Sequence, residues 1–495
     1  MLINYLNKIF PSFTQSNISY RLHEGKQHGI ILDTIPAGTK LVICPDSSSN
    51  DYEEHKALQE KGIDVLVIDH HEAEKVSEYA CVLNNQLCDY PTKSLSGVGM
   101  VYKFCSYLDI LLNKNEATSL LDLVAVGMVA DMMDLRDFET KHLIQLGLKN
   151  IQNPFLKAMI AKQEYSLGST ITPIGIAFYI APYINAITRS GTLDEKLVVF
   201  ESMLEFRAYE LIPSTKRGCK GDTEVKVEQA CRNCVNVKNR QAKACDANLA
   251  IIQDLIEKDN LLDNKVLAIV LPSNVEVNKN LNGLIANQLM SEYQRPVFVL
   301  TQTDHEGTPW VEGSARNFDK AGIKNLRSML EMCPYVEYAE GHESAFGIGL
   351  YASDFNHFVY WCNEVFKDKD FTPKYDVDFI YQAQTIKDID IMNIAMYKEL
   401  WGQGINEPLV VIENVNISKD QITLMKRNTL KITLPNSKLS FIKFGSSEEE
   451  FNELYSSTGY INVNILGRCD INSWNDSPQI RIVDYEIVKK SQYYF

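Results

Sequence analysis

Residues Val65–Glu74 read VLVIDHHEAE. Four apolar residues, Val65 to Ile68, run without a polar break into one carboxylate, Asp69, and two adjacent histidines, His70 and His71. A short continuous apolar run rich in β-branched side chains reads as a strand covered on both faces, the pattern of a parallel sheet. The upstream stretch KLVICPD (Lys40–Asp46) has the same character, and EEHKALQEKG (Glu53–Gly62) between the two reads as a helix stopped by a glycine. Strand, helix and strand make a βαβ unit. Such sheets place their sites at the carboxyl ends of the strands, and both strands here end in an acid, Asp46 and Asp69. A third segment, LLDLVAVGMVADMMDL (Leu120–Leu135), begins helical and carries Asp131 out of a long apolar run. We read Asp131 as standing at an equivalent strand end.

Composition bounds the rest. With 495 residues, 45% of them hydrophobic, the chain can build two to four domains. No stretch reaches the roughly 18 uninterrupted apolar residues of a membrane span. MLINYLNKIFPSF at the start lacks the marks of a secretory signal. Eleven scattered cysteines argue against a disulfide framework and for a reducing cytoplasm. Cys231 and Cys234 form a lone CxxC, which reads as two buried helix residues rather than a zinc site. The net charge of −15 disfavours a chain that coats nucleic acid non-specifically, but it leaves room for a nuclease whose metals need carboxylates.

Along the chain, residues 1–200 read as the α/β domain and 201–262 as a linker of polar helices. Between Arg207 and Lys243 nine Lys or Arg stand against four Asp or Glu, consistent with a solvated helix or with one facing DNA. Residues 263–372 repeat an α/β pattern in KVLAIVLP, LNGLIANQLMSEYQ and RPVFVLTQ. Residues 373–495 carry short alternating runs expected of a small β-barrel.

The polar ends taken together are Asp46, Asp69, His70, His71 and Asp131. Mixed carboxylates and imidazoles suit Mn²⁺ or a similar divalent ion, because zinc more often recruits cysteine and calcium avoids histidine. Two such ions could clamp a phosphodiester, activate water and stabilise the leaving oxygen.

VIDHH resembles the signature of the DHH phosphoesterases, and the order of the other segments narrows the resemblance to the RecJ-like single-stranded-DNA exonucleases. VICPDSSSND (Val42–Asp51), LSGVGMVYKF (Leu95–Phe104), VAVGMVADMMDL (Val124–Leu135) and IAPYINAITRSG (Ile180–Gly191) resemble successive catalytic-domain motifs. EGSARN (Glu312–Asn317) and EGHESAFGIGL (Glu340–Leu350) resemble the DHHA1 module. WGQGINEP (Trp401–Pro408) and LGRCDINSWNDSPQIRIVDYEI (Leu466–Ile487) resemble the oligonucleotide-binding (OB) barrel that follows it. The resemblance implies an α/β fold with a parallel-sheet DHH domain, a helical linker, a smaller α/β DHHA1 domain and a C-terminal OB-like β-barrel. It implies a 5′-to-3′ exonuclease in the bacterial cytoplasm, of cell or phage, that uses Mn²⁺ or Mg²⁺, two ions in the complete site. Asp46, His70 and Asp131 match metal ligands; Asp69 and His71 match the orienting and phosphate-contacting positions. Asn185 and Arg189 match contacts to the DNA backbone. Ser314, Arg316 and His342 match a phosphate pocket that Gly341 and Gly347 let the backbone approach. Trp401 and Trp474 could stack bases, although core packing is the commoner use of such aromatics.

One motif of the resemblance, His-x-Asp-x-Asp-Gly, is missing before Asp46; instead MLINYLNKIF and YRLHEGKQHGI, with Arg21 and His28, resemble the segments that follow it. Three expectations stand side by side: the chain is a fragment, a separate polypeptide carries the motif, or catalysis is lost and single-strand binding kept. A phosphodiesterase of short oligonucleotides or signalling nucleotides is the rival enzyme.

Overall fold

The computed structural model describes all residues except 25–26, 169, 220, 272–280, 427, 436, 473–474 and 493–495; Trp474 lies outside the described residues, as do the side chains of 489–492. Two helices, α1 (Leu2–Ile9) and α2 (Pro11–Asn17), precede β1 (Leu41–Pro45), α3 (Tyr52–Glu60), β2 (Asp64–Asp69) and β3 (Cys81–Asn84). The central strand β2 pairs in parallel with β1, Leu41 opposite Asp64, and with β3, Asn84 opposite Asp69. The apolar run works because strand side chains alternate. Val65 and Val67 pack with Cys44 and Leu58 of α3 on one face. Ile68, with Leu66 beside it, packs with Tyr5, Val101, Cys105 and Leu120 on the other.

Helices follow: α4 (Gly97–Leu112), α5 (Leu121–Ala130), α6 (Phe138–Lys149), α7 (Pro154–Lys162), α8 (Glu164–Leu167), α9 (Pro173–Tyr179), α10 (Ala181–Ser190) and α11 (Leu193–Ser202). This corrects one expectation. Asp131 follows the last turn of α5 and is not at a strand end. Val124, Ala125, Val126, Met128 and Val129 are all buried, so α5 is apolar nearly all round and its run carries no amphipathic signature.

The stretch read as wholly helical begins instead with a hairpin, β4 (Leu211–Pro213) against β5 (Thr223–Val225), and then forms the 33-residue α12 (Lys226–Lys258). The turn-forming sequence between Ser214 and Asp222, with Gly218 and Gly221 at positive φ, explains the hairpin. Cys231 and Cys234 are fully buried on α12, as expected of packing residues. Much of the basic excess is internally neutralised. Lys226 is buried between Glu201 (2.7 Å) and Glu210, Arg207 pairs with Glu201 at 2.5 Å, and Arg232 with Glu224 at 2.5 Å.

Next come β6 (Leu267–Leu271), α13 (Asn282–Tyr293), β7 (Val297–His305), β8 (Thr308–Arg316), α14 (Leu326–Leu330), β9 (Tyr338–His342), β10 (Ala345–Tyr351) and α15 (Phe355–Val365). The sheet runs β6-β7-β8-β10-β9, parallel only between β6 and β7. Residues of α12 and α13 cover one face, those of α14 and α15 the other.

The last part holds β11 (Phe379–Gln382), α16 (Asp388–Ala395), β12 (Leu409–Ser418), β13 (Ile422–Met425), β14 (Thr429–Thr433), β15 (Ser440–Phe444), α17 (Glu448–Leu454), β16 (Gly459–Asn472) and β17 (Ser477–Gln492). Its strands run β11-β12-β16-β17-β15-β14-β13 around a core that includes Ile412, Ile432, Phe441 and Ile480. Among the described residues the two edge strands, four residues each, do not pair, so the expected barrel is an open OB-like sheet. Closure requires the edges to meet in register, and β11 and β13 stand at opposite ends of the strand order.

The chain forms two compact units. One comprises 1–187, 191–234 and 377–495; the other comprises 188–190 and 235–376. No helix among the described residues is long and apolar enough to cross a membrane.

Candidate metal centre

At the carboxyl end of β1 the backbone turns sharply. Asp46 has φ +64 and Ser48 φ +79, left-handed conformations rare outside glycine. Asp46 still extends the parallel ladder, its N–H donating to the Ile68 carbonyl at 2.8 Å. Its side chain lies against the first residue of α4: a Cβ on Gly97 would fall 2.2 Å from Asp46 Oδ1. The unpaired amides at that helix start favour an anionic neighbour. Asp131, after α5, and His70, after β2, complete the arrangement. His70 Nε2 stands 3.2 Å from Asp46 Oδ1 and 3.3 Å from Asp131 Oδ2. That nitrogen is buried, yet neither oxygen is aligned to hydrogen-bond it.

Asp69 is different in kind. It is 1% exposed and accepts the backbone N–H groups of His70 (2.8 Å), His71 (3.3 Å) and Ser49 (3.2 Å) as well as His71 Nδ1 at 2.7 Å. Burial pushes its pKa up, but the bonds from His71, Ser49 and His70 outweigh it and hold the carboxyl well below the usual range. An ionised acceptor requires His71 Nδ1 to carry the proton, which leaves Nε2 pointing away from Asp69. The same bond raises the pKa of His71 against the effect of burial.

One potential ligand atom from each of Asp46, Asp69, His70 and His71 lies within 4.8 Å of the others. Asp69 is the weakest ligand of these, since its oxygens are already taken by four N–H donors. Asp131 lies outside that set but faces the same imidazole, which makes it the candidate third ligand. A buried imidazole nitrogen without a hydrogen-bond partner, flanked by two half-exposed carboxylates, fits a divalent cation such as Mn²⁺ or Mg²⁺.

The second unit carries its own polar row. Arg316 on β8 lies opposite Ala345, which lies opposite His342 on β9; one pleat further in, Ser314 lies opposite Gly347. Arg316 packs over the start of α13, where a Cβ on Gly283 would meet its Nη2 at 2.5 Å and Ser314 Oγ at 3.5 Å. Its Nη1 donates to the Ala315 carbonyl, and among the described residues no carboxylate lies within ion-pair reach. Burial lowers its pKa, and so does the like charge of Arg189, grouped with this unit. A guanidinium, a hydroxyl and a helix start around one spot suit an anion. Gly341 is out of step with that row: it lies opposite Phe346 and takes φ +130, a backbone conformation that favours glycine. Asn185 and Arg189 lie one turn apart on α10, Asn185 half-buried and Arg189 exposed.

Residues 1–128 match the model of the DHH family, N-terminal domain, and residues 377–484 match that of the RecJ OB domain. The putative SPbeta prophage-derived single-strand DNA-specific exonuclease YorK of Bacillus subtilis is 38% identical over 498 residues, covering 99% of this chain and 85% of the relative. The chain belongs to the RecJ-like DHH family. RecJ of Bacillus subtilis is 26% identical over 463 residues, 90% of this chain and 54% of that protein. The structure of RecJ in complex with Mn²⁺ from Thermus thermophilus superposes with a TM-score of 0.66 at 19% identity, over 92% of this chain and 62% of that one.

In this RecJ-like chain several supporting residues escaped the sequence reading. Asn84, ending β3, donates to the His71 carbonyl (2.8 Å) and to Ser49 Oγ (2.9 Å), tying the two site loops together. Gly97 was visible only within the LSGVGMVYKF segment, not as the floor beneath Asp46. The His28 ring stands 6.3 Å from that of His71, while Arg21 turns to Gln27 at 2.7 Å.

Proposed function

We propose that the chain is a metal-dependent exonuclease that hydrolyses the phosphodiester bonds of single-stranded DNA from the 5′ end. The observation that carries this reading is the buried His70 Nε2 set between the carboxylates of Asp46 and Asp131. The family supports it, since YorK and RecJ are named as single-strand DNA-specific exonucleases and RecJ is known in complex with Mn²⁺ and with Mg²⁺. The prophage origin of YorK supports a bacterial or phage source.

Asp46, His70 and Asp131 would hold the ion, which when bound supplies an activated water and charge neutralisation at the phosphate. Asp69 keeps the His71 Nδ1 proton in place, so that Nε2 addresses the scissile phosphate and, when protonated, donates to its oxygen. In the second unit Ser314 and Arg316 bind a phosphate of the strand, and His342 at the same sheet end adds a second contact. Asn185 and Arg189 contact the backbone.

The test is hydrolysis of a 5′-phosphorylated single-stranded 30-mer by the purified chain with Mn²⁺, beside Asp131→Ala. The reading expects mononucleotide release by the chain and none by the variant. Equal release by both would reject the site, and strong preference for a dinucleotide would reject the substrate.

A further inference from the structure

Asp131 hangs on a short loop, and part of what holds that loop comes from the far end of the sequence. After α5 the chain is fixed by Asp131 N–H to the Gly127 carbonyl and Met133 N–H to the Met128 carbonyl. Asp134 N–H donates to Ser94 Oγ at 2.7 Å. The next amide, Leu135 N–H, donates at 2.8 Å to the carbonyl of Gln403. Gly402–Ile405 is a tight turn closed by Gly402 N–H to the Ile405 carbonyl (2.9 Å) and Ile405 N–H to the Gly402 carbonyl (3.1 Å). Gly404 takes φ +79, as the third residue of a type II turn requires.

The fit between turn and loop is tight at both glycines. A Cβ on Gly404 would lie 2.0 Å from Asp134 Oδ1, and one on Gly402 would lie 3.0 Å from Leu135 Cδ2 and 3.3 Å from Pro173 Cβ. Leu135, 2% exposed, is the apolar anchor of the contact. Gln403 is exposed and contributes its backbone carbonyl. All these residues belong to the same compact unit.

We infer that the Gly402–Ile405 turn is a positioning element of the metal centre, holding the 131–136 loop so that Asp131 reaches the ion beside His70. The inference rests on the reading of Asp131 as a metal ligand. Packing that orients a ligand without touching the ion commonly sets metal affinity, by about 10–100-fold where it has been disturbed.

The experiment measures Mn²⁺ affinity of the full chain, by electron paramagnetic resonance of free Mn²⁺, in Gly404→Ala, Gly402→Ala, Gln403→Ala and Asp131→Ala. Gly404→Ala is expected to bind Mn²⁺ about tenfold or more weakly, Gly402→Ala to show a smaller loss, and Gln403→Ala none. Hydrolysis by the glycine variants should recover at saturating Mn²⁺, a change in metal requirement rather than in the maximal rate. Gly402→Ala, with the milder clash, carries the test if Gly404→Ala does not fold. Loss of affinity in Asp131→Ala with none in either glycine variant would overturn the inference alone. Unchanged affinity in Asp131→Ala would overturn the ligand reading and the inference with it.

Discussion

Asp69, to which we assign the orienting role, is the acid least suited to hold metal. Four N–H groups converge on it, and it fixes both histidines at once. Replacing it with Asn keeps the shape but removes the charge that sets the His71 proton on Nδ1. Asp69→Asn should therefore lower kcat by about 10–100-fold while leaving binding of single-stranded DNA intact; steady-state kinetics and a fluorescence titration check both halves. Gly97→Ala tests the floor of the site. Its methyl group would occupy the place of the Asp46 carboxylate, so Mn²⁺ affinity should fall by a similar factor with the near-UV circular dichroism unchanged. Asp46 and Asp69–His71 were legible because a buried strand has few reasons to end in such groups. Gly97, Ser49 and Asn84 were not, because each acts through one close contact that only the fold creates.

The element scale shows where periodicity speaks and where it is silent. β1, α3 and β2 were readable, since the apolar runs were short and the helix between them amphipathic enough to be told apart. α5 was not separable from a strand at its carboxyl end: a segment buried all round has no polar face, and its period is hidden. The hairpin before α12 was masked by the long helical pattern after it. That hairpin is pinned by Glu224, which is buried with Arg232, Gln229 and Ser214 around it. The Arg232 guanidinium, with these bonds, holds the Glu224 carboxyl well below its ordinary value of 4.5. A depressed carboxylate pKa stabilises the fold above the unfolded value, and the gain is lost as pH falls toward the folded one. Glu224→Gln should thus cost about 3 kcal/mol at pH 7, with the gap to the parent narrowing as pH drops below about 4.5 in urea titrations.

At the scale of the whole molecule, linear order misleads. The C-terminal sheet is last in the sequence, yet it belongs to the same compact unit as the DHH strands, and its Gly402–Ile405 turn reaches the loop of Asp131. A small C-terminal β-domain was legible in the alternating runs, and its OB-like character in the resemblance of WGQGINEP and LGRCDINSWNDSPQIRIVDYEI, which the match of residues 377–484 bears out. The openness of its sheet was not legible, because edge pairing is a property of the folded sheet. The second unit makes its own prediction. Arg316→Ala should raise KM for 5′-phosphorylated single strands and erase any preference over 5′-hydroxyl strands, with kcat little changed. The central claim is that His70, Asp46 and Asp131 share an ion, and the most direct measurement is anomalous X-ray scattering at the manganese edge from crystals soaked in Mn²⁺. The account predicts a peak about 2 Å from His70 Nε2 and bounded by both carboxylates. A peak elsewhere with none at His70, under conditions that support hydrolysis, would contradict it.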